Sequence, residues 1–168
     1  MIEAGILDED EHVELLEGEV VEMSPQDETH ARVIHRLTRL FNRALGDEWI
    51  VRSQLPLRLR DSEPEPDLAV VRAQEEAASR LPPRSALLIV EVANTSLRQD
   101  IERKARIYAR ARIPEYWVVV VPERAIEVFR EPRPRQGAYA ERFRAAAADS
   151  LTPGAISAVQ VSVGSLFR

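Results

Sequence analysis

Two runs, ALLIVEVA at 86–93 and EYWVVVV at 115–121, restrict the folding of this chain more than any other feature. Apolar runs that do not alternate belong to strands buried on both faces, so both faces of their sheet need covering. The rest of the chain offers the cover. VELLEGEVVEM (13–23) predicts a hairpin turning at Glu17-Gly18, with glycine supplying the positive φ. Val33, Leu37, Leu40, Phe41 and Ala44 recur at helical spacing and predict a helix over 29–45, with Gly46 as its stop. Residues 49–59 and 67–72 read as strands, AQEEAASRLPPRS as a polar connection, and 99–111 as a second helix. A strand at 125–130 and a Pro/Arg-rich loop at 130–136 follow. Hairpin, helix, three strands, helix and strands make an α/β (α+β) domain around one mixed sheet. At 168 residues, without internal repeat or linker, the chain suits one domain over 1–168.

The same apolar runs are far too short to cross a bilayer, and the start MIEAGILDEDE is acidic rather than signal-like, so no membrane partner is expected. The absence of cysteine removes disulfides and thiolate metal sites and is compatible with a cytoplasmic protein. A net charge of −5 argues against non-specific coating of nucleic acid. The charge is unevenly spread, however. Residues 8–28 hold ten acids and no lysine or arginine, whereas 98–112 hold six cations against Asp100 and Glu102. Arg32, Arg36, Arg39 and Arg43 share one stripe of the first helix, either a solvated face or one that contacts phosphates.

Within the first apolar run stands Glu91, a carboxylate that needs a cation, a hydrogen-bond network or a metal if the strand is buried. Asp67 opens the strand of EPDLAVV, so the two acids can converge from adjacent strands. Oxygen ligands of this kind suit Mg²⁺ or Mn²⁺, although arginine pairing serves them equally. Lys104 favours the former. It is the only lysine among 23 cationic residues, and it lies on the side of its helix that carries Ile101, Ala105 and Tyr108. Arg103, Arg106 and Arg110 fall on the opposite, solvent side. A buried lysine can join proton transfer or hold a nucleophile, which arginine cannot. The plainer reading is an i,i+4 ion pair of Asp100 with Lys104.

In order, the hairpin VELLEGEVVEMSP, His30, EPDLAVV, LLIVEVANTSL, Asp100, Lys104 and YARARIPEYWVVV resemble the Uma-type family of bacterial endonucleases, of the restriction-endonuclease-like, PD-(D/E)XK superfamily. The likeness covers roughly residues 5–130, and VSVGSLF is similar to the family's usual ending. It implies a restriction-endonuclease-like sheet flanked by helices and a metal-dependent phosphodiesterase site. Asp67 and Glu91 would bind Mg²⁺ or Mn²⁺ with the Val92 carbonyl, and Lys104 would be the catalytic lysine. The superfamily's usual lysine position is occupied by Ala93, and the Uma-type pattern moves the lysine to the following helix. His30 matches a histidine frequent in the family and reads as packing or capping; Asp100 is a further candidate. Glu14, Glu17 and Glu22 could add an acid, with surface exposure the ordinary expectation. Asn94, Arg112 and Val120 depart from the family's aspartate or serine, glycine and aspartate. The implied partner is nucleic acid, DNA first, and a homodimer would suit duplex cutting. The competing readings are a non-catalytic nucleic-acid- or protein-binding module on the same fold, and a structural ionic network of Asp67, Glu91 and Lys104.

Overall fold

Glu17 (φ 50°) and Gly18 (φ 82°) both occupy the left-handed backbone region that a two-residue hairpin turn requires. They close β1 (Val13–Leu16) onto β2 (Glu19–Glu22), with Leu16 opposite Glu19, as the sequence predicts. The hairpin opens a computed structural model that describes residues 12–23 and 25–168. The acidic start of the 8–28 stretch lies outside the described residues.

Helix α1 (Glu28–Ala44) starts at an Asp27 cap whose carboxylate accepts the His30 N–H at 2.8 Å. Its buried stripe is Val33, Ile34, Leu37 and Phe41. The predicted glycine stop is corrected. The chain leaves through an extended Leu45, whose N–H still reaches Phe41 O, and Gly46 is not left-handed.

Six strands form the main sheet in sequence order: β3 (Trp49–Arg52), β4 (Leu68–Arg72), β5 (Leu88–Ala93), β6 (Glu115–Val120), β7 (Ala125–Arg133) and β8 (Ala138–Ala145). Only β5 and β6 run parallel, which demands a crossover. The segment from Gln99 to Arg110 supplies it. Every residue of β5 and β6 is buried, the outcome their unbroken apolar runs imply. Leu68, Val70, Val90 and Trp117 meet α1 on one face, while Ala69, Val71, Ile89 and Tyr116 meet Tyr108 of the crossover on the other. Two short strands, β9 (Ser150–Leu151) and β10 (Val161–Ser162), and a 3-10 turn at Val163–Phe167 close over the α1 face.

Other expectations need revision. The predicted strand 49–59 ends at Arg52, because Gln54 turns left-handed (φ 53°) and Pro56 has no N–H to donate. The polar connection contains a short helix, α2 (Ala73–Ala77). The crossover begins as a π-helical turn (Gln99–Lys104) before becoming α3 (Ala105–Arg110). The expected loop at 130–136 is largely strand, since β7 runs on to Arg133 and pairs with β8 alone beyond Arg130.

Candidate active site

The register of β4 on β5 pairs Leu68 with Val90, so Asp67, one residue ahead of β4, comes level with Glu91. The two predicted acids therefore meet across adjacent strands. Asp67 Oδ2 accepts the Val92 N–H at 2.7 Å, which fixes one oxygen of the carboxylate. Glu91 Oε1 accepts the Lys104 ammonium at 3.1 Å and the Tyr108 hydroxyl at 2.8 Å. Among the described residues, Asp67 Oδ1 and Glu91 Oε2 accept no hydrogen bond. Lys104 is only 6% exposed, so the one lysine does face inward. Its close partners are Glu91 and Glu14 Oε1, both at 3.1 Å, whereas Asp100 Oδ1 is 4.0 Å away. The plain helical ion pair is thus the most distant of the three. The wider π-helical turn buries both Asp100 and Lys104, and the Ser96 hydroxyl donates to Asp100 Oδ2 at 2.6 Å.

Glu14 is the residue that sequence reasoning misplaced. Expected at the surface, it is 5% exposed, because β1 turns Glu14 and Leu16 inward together. Its Oε2 accepts the Glu65 N–H at 3.2 Å. Glu22 is exposed, and Glu17 lies outside the pocket, binding Arg103, Arg106 and Arg110. Helical spacing alone leaves those arginines free in solvent. Instead they fasten the hairpin to the crossover, and Arg103 also donates to Leu16 O at 2.8 Å.

His30 gives its backbone N–H to the Asp27 cap, and its side chain reaches into the pocket. Its Nε2 lies 2.9 Å from Asp67 Oδ2, out of line for a well-formed hydrogen bond. Asn94 donates to the capping Asp27 at 2.5 Å. The arginine stripe follows α1 on the far side of the sheet from Glu91. Arg36 is held by the carbonyls of Ser165 and Leu166, both at 3.0 Å, and Arg32 by Glu28, while Arg39 and Arg43 are exposed.

Five carboxylates (Glu14, Glu65, Asp67, Glu91 and Asp100) share a pocket of about 40 Å³ with His30 and Lys104. Burial pushes Asp100 up to about 6, with Lys104 and the Ser96 hydroxyl opposing. Burial also drives Glu91 well up, and Asp67, Asp100 and Glu14 reinforce it against Lys104. Glu65 is raised by burial and by Glu14. Burial pulls Lys104 down, but Glu91, Glu14 and Asp100 outweigh it and the net shift is upward, so the amine stays protonated. For His30, burial lowers the value and Asp67 more than restores it, leaving it raised.

Acidic side chains outnumber basic ones in this pocket. A hard, all-oxygen donor set in excess of its cations fits Mg²⁺ or Mn²⁺, and the space would hold an ion with little water. Among the described residues no three acidic or histidine donors already surround one point; the carboxylates gather on the ammonium of Lys104 instead.

The family model Uma2, described as "Putative restriction endonuclease", matches residues 3–164. The chain belongs to the Uma2 family. A crystal structure from Anabaena variabilis, described as a putative nuclease belonging to DUF820, superposes with a TM-score of 0.81 over 98% of this chain and 94% of that one, at 12% identity. At that identity the likeness shows the fold. Comparison with curated proteins gives no match. Family and fold together support a nuclease, and the mixed sheet flanked by helices is the architecture that the Uma-type resemblance implies.

Proposed function

We propose that this Uma2 chain is a metal-dependent nuclease hydrolysing phosphodiester bonds of nucleic acid, DNA first, in the pocket between β4, β5, the hairpin and the crossover helix. One observation carries the reading: Asp67 and Glu91 come level on adjacent strands beside a buried lysine, in a pocket with more carboxylates than cations. Mg²⁺ or Mn²⁺ would be held by Asp67, Glu91 and the Val92 carbonyl, and when bound it supplies an acidified water and neutralises charge on phosphate. The chain does the remainder. Lys104, kept charged by its carboxylate neighbours, donates hydrogen bonds to water or a phosphate oxygen and is not the base. Tyr108 and Lys104 both hold Glu91 Oε1, leaving its second oxygen to the pocket. The Val92 N–H restrains Asp67 by a hydrogen bond to Oδ2, and His30 Nε2 lies against the same oxygen. Glu14 and Asp100 hold the ammonium in place from the other sides.

Purified protein incubated with plasmid, single-stranded DNA and RNA should cut at least one of them with Mg²⁺ or Mn²⁺ and none with EDTA. Cutting undiminished by EDTA would refute the reading. A second reading has its own observation: Lys104 lies 3.1 Å from both Glu14 and Glu91, as in a structural ionic network. It predicts nucleic-acid or protein binding without metal-dependent cutting.

A further inference from the structure

At the far end of the crossover helix from Lys104 is a second, larger cleft of about 390 Å³. Beside Glu17 of the hairpin, three segments build it: Leu59–Asp61, the end of α3 with Arg112 beyond it, and the turn between β7 and β8. Each segment contributes arginine, namely Arg60, then Arg110 and Arg112, then Arg135, against only Glu17 and Asp61. Arg110 is committed to Glu17 at 3.0 Å. Arg60, Arg112 and Arg135 are exposed, and among the described residues their side chains form no ion pair and donate no hydrogen bond. The chain's net charge is −5, so this concentration of unengaged cations runs against its overall sign.

The backbone gives a second, independent observation. Arg112 has φ 62°, a conformation natural to glycine and costly to an arginine. Among the described residues five non-glycine residues have positive φ; Glu17 and Arg112 line this cleft, and the hairpin turn accounts for Glu17 alone. A side chain held at such a position is a pointer to function when it also faces a site. Lys104 lies in the π-helical turn and Arg112 two residues beyond α3, so the six residues of α3, about 9 Å at the α-helical rise, stand between them. That distance spans roughly two to three phosphate steps of axial rise along one strand of a duplex.

We infer that the Arg60–Arg112–Arg135 cleft binds backbone phosphates of a nucleic-acid strand, several steps from the scissile one. The inference rests on the nuclease reading and adds a binding site that the catalytic pocket does not contain. Arg112 is the central residue of that site, presented by the left-handed backbone that ends the crossover helix.

The test measures binding of a fluorescein-labelled duplex in EDTA, across a salt series, for wild type, Arg112→Gly and Arg60→Ala/Arg135→Ala, each first checked for folding by thermal melting. Tripolyphosphate binding to the same proteins is followed by calorimetry. The expected result is a roughly tenfold weakening for Arg112→Gly at low salt and a salt slope reduced by about 0.9 for each phosphate no longer neutralised. Arg112→Gly should melt no lower than wild type, which separates weakened binding from impaired folding. Variants that bind like wild type overturn the cleft and leave the nuclease reading standing. A wild-type protein that binds no duplex or single strand, with or without Ca²⁺, overturns both. Tripolyphosphate binding that needs Arg112, without any nucleic-acid binding, would make the cleft a site for free phosphoanions and overturn the inference.

Discussion

Lys104 owes its position to carboxylates rather than to its own helix. Two acids from different segments, Glu14 and Glu91, approach it to the same distance, and only the more distant Asp100 belongs to its own turn. Replacing it with methionine leaves Glu14 and Glu91 buried without their cation. Lys104→Met should therefore destabilise the fold by about 3–5 kcal/mol at pH 8 in urea unfolding. The effect should shrink as pH is lowered from 8 to 5.5, because burial raises the affinity of Glu91 for a proton. Equal destabilisation at both pH values would contradict the buried-carboxylate account. The sequence makes Lys104 and Glu91 legible because each breaks a local rule, a lone lysine among arginines and an acid inside an apolar run. Glu14 breaks none. In VELL the neighbours Val13 and Leu15 are the natural inward pair, and what turns Glu14 inward is an ammonium presented by a helix about ninety residues later.

Among the elements, the hairpin and the crossover helix act as a pair. Glu17 accepts hydrogen bonds from Arg106 at 2.6 and 3.0 Å and from Arg110 at 3.0 Å, and Arg103 donates to Glu19 at 2.7 Å. Charge-assisted and bidentate hydrogen bonds of this kind hold β1, and with it Glu14, over the pocket. Glu17→Ala should lower hydrogen-exchange protection of the β1–β2 amides by about 1–2 kcal/mol while leaving β5 and β6 unchanged. Unchanged hairpin protection would show that the arginine clamp does not anchor it. These arginines look solvent-facing in sequence because helical periodicity registers only the sheet side of the helix. The π-helical turn is equally hidden, since apolar spacing carries no sign of one wide turn. Residues 130–136 mislead for another reason. Prolines suggest a loop, yet beyond Arg130 strand β7 has a neighbour on one side only, where proline is tolerated.

For the molecule as a whole, the excess of buried carboxylates sets the pH dependence of stability. Asp100 is raised to about 6 from an ordinary 3.8, so the folded protein holds that proton more tightly than the unfolded chain does. Stability from this group is greatest below 3.8 and falls as pH rises to about 6. His30 is also raised; its contribution is present below 6.5 and disappears as pH climbs through its folded value. Glu17 and Asp27 are lowered by Arg106 and by the His30 N–H respectively, and their contribution falls away only in more acidic solution. Metal-free protein should thus be less stable at pH 7.5 than at pH 5 by about 1–2 kcal/mol in urea unfolding, with the difference reduced by Mg²⁺. A rise in stability over that interval would contradict it. The sheet, both helical layers and the Asp67–Glu91–Lys104 grouping are readable from residues alone, whereas the closing strands β8 to β10 are not. Their apolar residues are few and scattered, and their burial depends on packing against α1 and the outer sheet.

The most direct test of the central claim is cleavage rate and thermal stability measured on one preparation of Glu91→Gln beside wild type. This substitution keeps the side chain's size and removes its charge. The predicted result is at least a hundredfold loss of Mg²⁺-dependent cleavage with the melting temperature nearly unchanged. Cleavage at the wild-type rate would contradict the assignment of this pocket as the active site.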